Sequence, residues 1–301
     1  MVSLKFFHCD SRKKVNGIAD SEKSGLGRNG PVAAMNLPQL AHGVLLEALG
    51  ELVHGLALLR GRDDPEVLHQ ARIAWRKFDA VLRLFVRRSA LPAAMSPQRL
   101  RELLVRMGAL RDWDVAGLVT LPALVRRCHP RTPALQTGWD ALVLQWANAR
   151  PVLRGGVLAA LEDPQVERFL LAWAQWLDSG LLSAPGLLKG VGRKRPVSEW
   201  ATRRLQAQFA RLAPTPGPSS DRAALHQTRI LAKRLRYGVE ALRPLLPKRR
   251  AAHWHARAEA LQKSMGTQRD LRQALEIVTS LEAAPEIVAF LGAVCAGLDA
   301  A

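Results

Sequence analysis

Cysteine is nearly missing from this 301-residue chain: Cys9, Cys128 and Cys295 stand far apart. Without close spacings there is no disulfide framework and no zinc pattern, and the usage fits a reducing compartment. Aromatic residues make up only 5%, with a single Tyr. The basic segments therefore carry no stacking series of the kind that single-strand nucleic-acid binders use. No run of about 18 apolar residues is free of charge, which argues against a membrane span. The opening stretch MVSLKFFHCDSRKKVNGIAD puts its apolar residues before its basic cluster, so it does not read as a signal peptide. No Gly-x-x-x-x-Gly-Lys-Ser/Thr loop occurs, and no His/Asp grouping is spaced to hold catalytic metals. Acid is scarce as well: 26 Asp+Glu face 44 Lys+Arg, a formal net charge of +18.

That excess of base favours a polyanionic partner: nucleic acid, an anionic surface or a phosphate polymer. Hydrophobic residues reach 48%, enough for a substantial core. Residues 1–36 are rich in Gly, Ser, Lys and Asn and lack a helical period; they read as disordered, or as lying upstream of a start at Met35. From Leu37 onward the apolar spacing is helical, and strand-like alternation is scarce. Helices are expected at 38–60, 64–89, 97–110, 112–127, 133–150, 164–180, 197–212, 221–245, 248–265, 268–282 and 285–298. The basic, Gly-rich stretch at 183–198 reads as a join, and so does PTPGPSS at 214–220. The chain is expected to be all-α.

A repeat runs through it. LHQARI begins at Leu68 and LHQTRI at Leu225, while MGALRD begins at Met107 and MGTQRD at Met265. The offsets are 157 and 158, so the two motifs recur in the same order at almost the same spacing. This predicts an internal duplication, with halves of about 37–182 and 197–300 within one 37–301 domain. Two helical-bundle halves related by a pseudo-two-fold would bring the two His-x-x-Arg helices face to face.

At about 100° per residue, Arg72, Arg76, Arg83 and Arg87 share a face with His69. Ala71, Ala74, Phe78, Val81, Leu82 and Phe85 lie opposite. From His226, the residues Arg229, Lys233 and Arg236 share one face, while Leu231, Leu235, Val239 and Leu242 oppose them. Glu240 is placed to pair with Arg236 or Arg243. Lys77 and Arg234 flank the two stripes. A solvated helix face would explain one such row. Like charges at i, i+4 repel, however, so a row that recurs points to an anion that neutralises it. The two histidines leave three readings: anion contact, helix-start packing or metal ligation. Metal is the weakest, since no ligand type stands at i+3 or i+4. His253 and His255 point to different helix faces and read as surface. In the Met-Gly-x-x-Arg-Asp pair, Gly permits a close approach or a break, and Asp112 and Asp270 are placed to cap a following helix. Arg111 and Arg269 either extend toward the anion or close internal salt bridges.

LHQARIAWRKFDAVLRLF with MGALRDWD, and LHQTRILAKRLRYGVEAL with MGTQRD, resemble the CHAD family, the conserved histidine α-helical domain. The most specific piece is AKRLRYGVEAL, and the resemblance spans about residues 38–300. It implies two helical bundles with a basic central cavity that binds inorganic polyphosphate, in a cytoplasmic protein associated with polyphosphate granules and their proteins. By motif match the binding residues are His69, Arg72, Arg76 and Arg83, and His226, Arg229, Lys233, Arg234 and Arg236. Lys77, Arg87, Arg111 and Arg269 join them from the helical faces. Asp79 stands where the second motif has Arg236, which predicts a weaker grip in the first half. Some relatives carry a triphosphate tunnel domain; its Glu-x-Glu-x-Lys strand motif is missing here. The expectation is a stand-alone binding module with no cofactor and no enzymatic activity, and with only weak, charge-driven nucleic-acid binding.

Overall fold

The structure is a computed structural model and describes residues 36–128, 132–179, 188–189, 196–212 and 222–299. Residues 1–35, Cys9 and most of the two joins lie outside them. Asn36, grouped above with the N-terminal segment, belongs to the fold. Its side chain accepts from Gln39 N at 2.9 Å while the Gln39 side chain accepts from Asn36 N at 3.1 Å, a reciprocal cap that starts α1.

The described residues are helical throughout, with one isolated β-bridge between Val86 and Leu188. The helices are α1 (Leu37–Gly61), α2 (Pro65–Phe85), α3 (Arg101–Val115), α4 (Leu121–Cys128), α5 (Pro133–Leu161), α6 (Pro164–Asp178), α7 (Val197–Leu212), α8 (Arg222–Leu242), α9 (Lys248–Ser264), α10 (Gly266–Ser280) and α11 (Pro285–Asp299). Local chemistry sets several starts. Asp64, Thr132 and Asp163 each stand before a Pro, and their side chains accept from backbone N–H groups of the first turn. Pro at the first position has no N–H to leave unpaired.

Three boundaries differ from the sequence reading. No break separates 110 from 112: α3 continues through Asp112 into a π-helical turn, Ala116–Thr120, and then into α4. Asp112 and Asp270 are thus inside helices and cap nothing. Helix α5 runs past Pro151 to Leu161 instead of stopping at 150. Arg154 anchors the extension, donating to the Leu59 and Arg62 carbonyls at the end of α1. At the end of α2, Val86 turns extended, and Lys189 N donates to Phe85 O at 2.8 Å.

Two hydrophobic cores form. One collects α1, α2, α6, α7, α8 and α9 around Phe78, Phe85, Phe169 and Trp173. Trp173 is fully buried, packs edge-on to Phe78 and donates to Met95 O at 3.1 Å. Truncating such a side chain costs about 3–5 kcal/mol. The other core joins Trp113, Trp139 and Trp146 to Leu271, Val278, Ile287 and Leu291. Both cores draw on residues from either side of the 183–198 join. Helix α1 is long and apolar enough to cross a membrane by length and composition, yet its Ala41, Leu45, Leu49, Leu52, Leu56 and Leu59 row is buried in the first core.

Candidate functional site

Helices α2 and α8 present the same side to the core. Ala71, Ala74, Phe78, Val81, Leu82 and Phe85 are buried, and so are Leu235, Val239 and Leu242, whereas Leu231 is only half-buried and lines a basic pocket. The charged rows stand beside this apolar seam. Gly238 of α8 leaves no room for a side chain, because a Cβ there would lie 2.8 Å from Leu205 and 3.4 Å from Leu84. The backbone therefore comes close enough to α2 and α7 for the charges on neighbouring helices to act on one another.

Arg72 and Arg76 of α2, Arg229 and Lys233 of α8, and Arg269 of α10 form one basic cluster. Lys233 records it most clearly. Burial first, and then the charges of Arg76, Arg229, Arg269 and Arg72, push its ammonium down to about 6. Arg72 is lowered to about 10, by burial and then by Arg76, and stays charged. Arg229 is lowered by burial and then by Arg269. Its Nε is buried without a hydrogen-bond partner.

The second Met-Gly-x-x-Arg-Asp motif meets the first at this point. Arg269 donates to Asp112 at 3.0 Å and to Asp270 at 3.1 Å. Burial alone would lower the Arg269 pKa, but the two carboxylates outweigh it and raise the value. Of the two readings for Arg269, the ion pair is the one seen. Arg111 instead donates to Pro65 O at 3.4 Å, at the start of α2. Gly108 gives Arg72 its place: a Cβ there would stand 3.3 Å from the Arg72 guanidinium, whose Nη1 also reaches Leu104 O at 3.4 Å.

The two histidines part company. His69 is half-buried, and its pKa is lowered by burial and then by Arg111, with Arg76 and Arg72 adding to the effect. These influences favour its neutral form. His226 is exposed. Among the described residues no group of three or more His, Cys, Asp or Glu is arranged to hold a metal.

Other residues of the expected stripe lie elsewhere. Lys77 points to α1, where its ammonium pairs with Glu51 at 2.9 Å. Arg236 pairs with Glu240 at 3.5 Å, as the spacing predicts, and lies 4.9 Å from the Tyr237 ring. Glu240 also meets His255 at 3.1 Å, so that histidine is tied to α8; His253 is exposed against Phe209, and Trp254 between them is buried. Arg83 and Arg234 join a second basic pocket beside α7, and the exposed Arg87 lies close enough to influence its Lys189. Asp79 pairs with both Arg83 and Arg88, so the acid that interrupts the first motif neutralises the end of α2.

Sequence reading missed two sets of residues. One is this second pocket, with Arg88, Lys189, Arg204 and Arg211, whose members come from four segments. The other is a structural network under the site: Arg150 donates to Asp114 at 2.8 Å and to Asp63 at 2.9 Å, and Asp114 is 1% exposed. A deeply buried acid needs such a partner; the Asp112-Trp113-Asp114 stretch was its one visible signal.

Comparison with known proteins identifies the fold. The CHAD domain profile matches residues 43–279. The fold is similar to the crystal structure of the CHAD domain from the plant Ricinus communis, at a TM-score of 0.70 and 24% identity, covering 89% of this chain and 88% of that one. It is also similar to PptA from Streptomyces chartreusis, at a TM-score of 0.57 and 21% identity, covering 86% and 93%. No curated protein matches. With a profile match that takes in both basic motif helices and both Met-Gly-x-x-Arg-Asp segments, the chain belongs to the CHAD domain family.

Proposed function

We propose that this protein binds inorganic polyphosphate across the cluster formed by Arg72, Arg76, Arg229, Lys233 and Arg269. The observation that carries the reading is the gathering of cations from three helices: Arg72, Arg76, Arg229 and Arg269 all act on the half-buried Lys233, which burial and their charges lower to about 6, and the Arg229 Nε is buried with no partner among the described residues. Lys233, whose charge its neighbours suppress in the free protein, regains that charge when an anion enters. Polyphosphate suits it because the polymer offers charge at regular intervals and no bases to stack or read. Arginine forks match phosphate oxygens bidentately, and Lys adds a point charge. A helix of about 18 residues is about 27 Å long, so two adjacent rows can meet several phosphates in succession.

Its role is that of a binding module and not an enzyme, working in the cytoplasm at polyphosphate granules and beside their proteins. The basic faces carry no acid pair suited to a magnesium site, since Asp112 and Asp270 are both engaged by Arg269. The test is a titration of labelled polyphosphate of defined length against duplex DNA at matched salt. Polyphosphate is expected to bind saturably, more tightly than DNA, and to weaken as salt rises because bound ions are released. Equal affinity for the two polymers would overturn the assignment.

A further inference from the structure

Helix α8 is basic on two flanks, and only one of them faces the cluster described above. Lys233 and Arg234 are adjacent, about 100° apart around the helix. Lys233 responds to Arg76, Arg229, Arg269 and Arg72, whereas Arg234 responds to Arg83, Asp79, Arg88 and Arg211. The two sets have no member in common. On the Arg234 side, a cavity of about 300 Å³ opens between the end of α2, helix α7 and helix α8. Arg83, Arg88, Lys189, Arg204, Arg211 and Arg234 line it, and among the described residues no carboxylate does.

The charges inside are poorly compensated. Asp79 stands behind the wall and pairs with Arg83 and Arg88. Lys189 and Arg204 each donate to the Arg83 carbonyl, at 2.7 Å and 3.4 Å. An ammonium has three donors and a guanidinium five, so most of their N–H groups remain. The Nε atoms of Arg88 and Arg204 are buried with no hydrogen-bond partner among the described residues. Burial, and then Arg204, Arg83, Arg88 and Arg87, lower Lys189 to about 8. The occupant that suits such a lining is compact, carries at least two negative charges and accepts hydrogen bonds in several directions. A tetrahedral phosphate group meets all three needs. The volume equals that of roughly ten waters, room for one or two phosphoryl units and not for a long chain.

We propose that this pocket is a second anion site, separate from the α2/α8/α10 cluster, and that it holds a compact phosphate group. Two sources share that chemistry: free inorganic phosphate, and the end of a bound polyphosphate chain.

The test titrates the full chain with pyrophosphate by calorimetry, for the parent, an Arg211→Ala/Arg234→Ala variant and an Arg229→Ala/Lys233→Ala variant. In the parent, two independent binding events are expected. The Arg211/Arg234 variant should lose one of them, with its affinity falling at least tenfold, while the Arg229/Lys233 variant retains it. Circular dichroism and thermal unfolding check each fold. Arg211 is exposed, so Arg211→Glu alone serves as the second, low-risk variant and should weaken the same event. If folded pocket variants bind pyrophosphate like the parent, within twofold, the proposal is wrong. Long-chain polyphosphate then separates the sources: a fall of fivefold or more in the pocket variant assigns the chain end, and unchanged affinity assigns free phosphate. If the Arg229/Lys233 variant binds long chains like the parent, the polyphosphate reading of the first cluster fails while the pocket stands.

Discussion

Arg269 of α10 reaches the Asp112 carboxylate of α3 at 3.0 Å, so the arginine of one Met-Gly-x-x-Arg-Asp motif is held by the aspartate of the other. This contact ties together the two sequence segments that frame the basic cluster, and it sets how much positive charge the cluster shows. Asp112→Asn should lower stability by about 1 kcal/mol or less, since Arg269 is 41% exposed and keeps Asp270. The same change removes a negative charge beside Arg72 and should raise polyphosphate affinity severalfold at low salt. Thermal unfolding and a binding isotherm on one preparation check both signs.

Lys233 should make affinity and stability depend on pH in opposite directions. Its folded value of about 6 lies below the ordinary 10.5, so the unfolded chain binds more protons between those limits. Stability of the free protein is therefore expected to rise with pH across that window. An anion raises the Lys233 pKa, so binding takes up a proton and affinity falls as pH climbs above about 6, by up to tenfold per unit. Calorimetry in buffers of different ionisation heat at pH 7.5 measures the proton uptake. Lys233→Arg should remove most of it, leaving the share that His69 supplies.

Arg72→Ala/Arg76→Ala and Arg229→Ala/Lys233→Ala should each reduce long-chain affinity by at least about 100-fold, because charge-assisted contacts contribute about 1.5–3 kcal/mol apiece. The dependence on chain length should flatten in both, as one half of a tethered contact is lost. Relief of repulsion leaves unfolding temperatures unchanged or higher for the α8 pair. The α2 pair also removes the Arg72 contact with Leu104 O, so its stability gain should be smaller.

The two helical glycines near the site should respond differently to alanine. At Gly108 a Cβ meets only the far end of the long Arg72 side chain, at 3.3 Å; a shift of a few tenths of an ångström there accommodates it, so Gly108→Ala should stabilise α3 by about 0.5–1 kcal/mol. Gly108→Leu should keep the fold but displace Arg72 and weaken polyphosphate binding. At Gly238 a Cβ lies 2.8 Å from Leu205, within a packed core, and Gly238→Ala should cost about 1–3 kcal/mol. Denaturant unfolding of the three variants distinguishes these outcomes.

Under the site, Asp114→Ala should destabilise the protein by about 3 kcal/mol, because Arg150 loses its buried partner. Once the variant is folded at low temperature, polyphosphate affinity should match that of the parent. A salt-dependent loss of binding instead would place Asp114 in the electrostatics of the cluster.

Sequence periodicity was most informative where a helix has one dry side. The apolar residues assigned to α2 are all buried, and Arg72, Arg76, Arg229 and Lys233 do converge. It was least informative wherever the outcome depends on a residue from another element. Spacing along α2 says nothing of Glu51 on α1, which takes Lys77, and spacing along α8 cannot show that His226 stays exposed. Pro151 signals a break in isolation, but α5 has Arg154 bonded to two carbonyls of a neighbouring helix end, and the helix continues. The Arg-Asp dipeptides resemble caps to the eye, since Asp before a helix is common. Only the approach of α10 to α3 shows that they bind one another.

The contact of Leu84 and Leu205 around Gly238 has a consequence for selectivity. These are oily groups, indifferent to salt and pH, and they pack against α8 at Gly238, on the side of the helix away from Arg229 and Lys233. The spacing between the charged rows of α2 and α8 is thus gauged by hydrocarbon and not by the mutual repulsion of the bases. On the polyphosphate reading the rows keep one separation at every salt concentration and pH, so selectivity among polyanions should depend on charge repeat as well as on total charge.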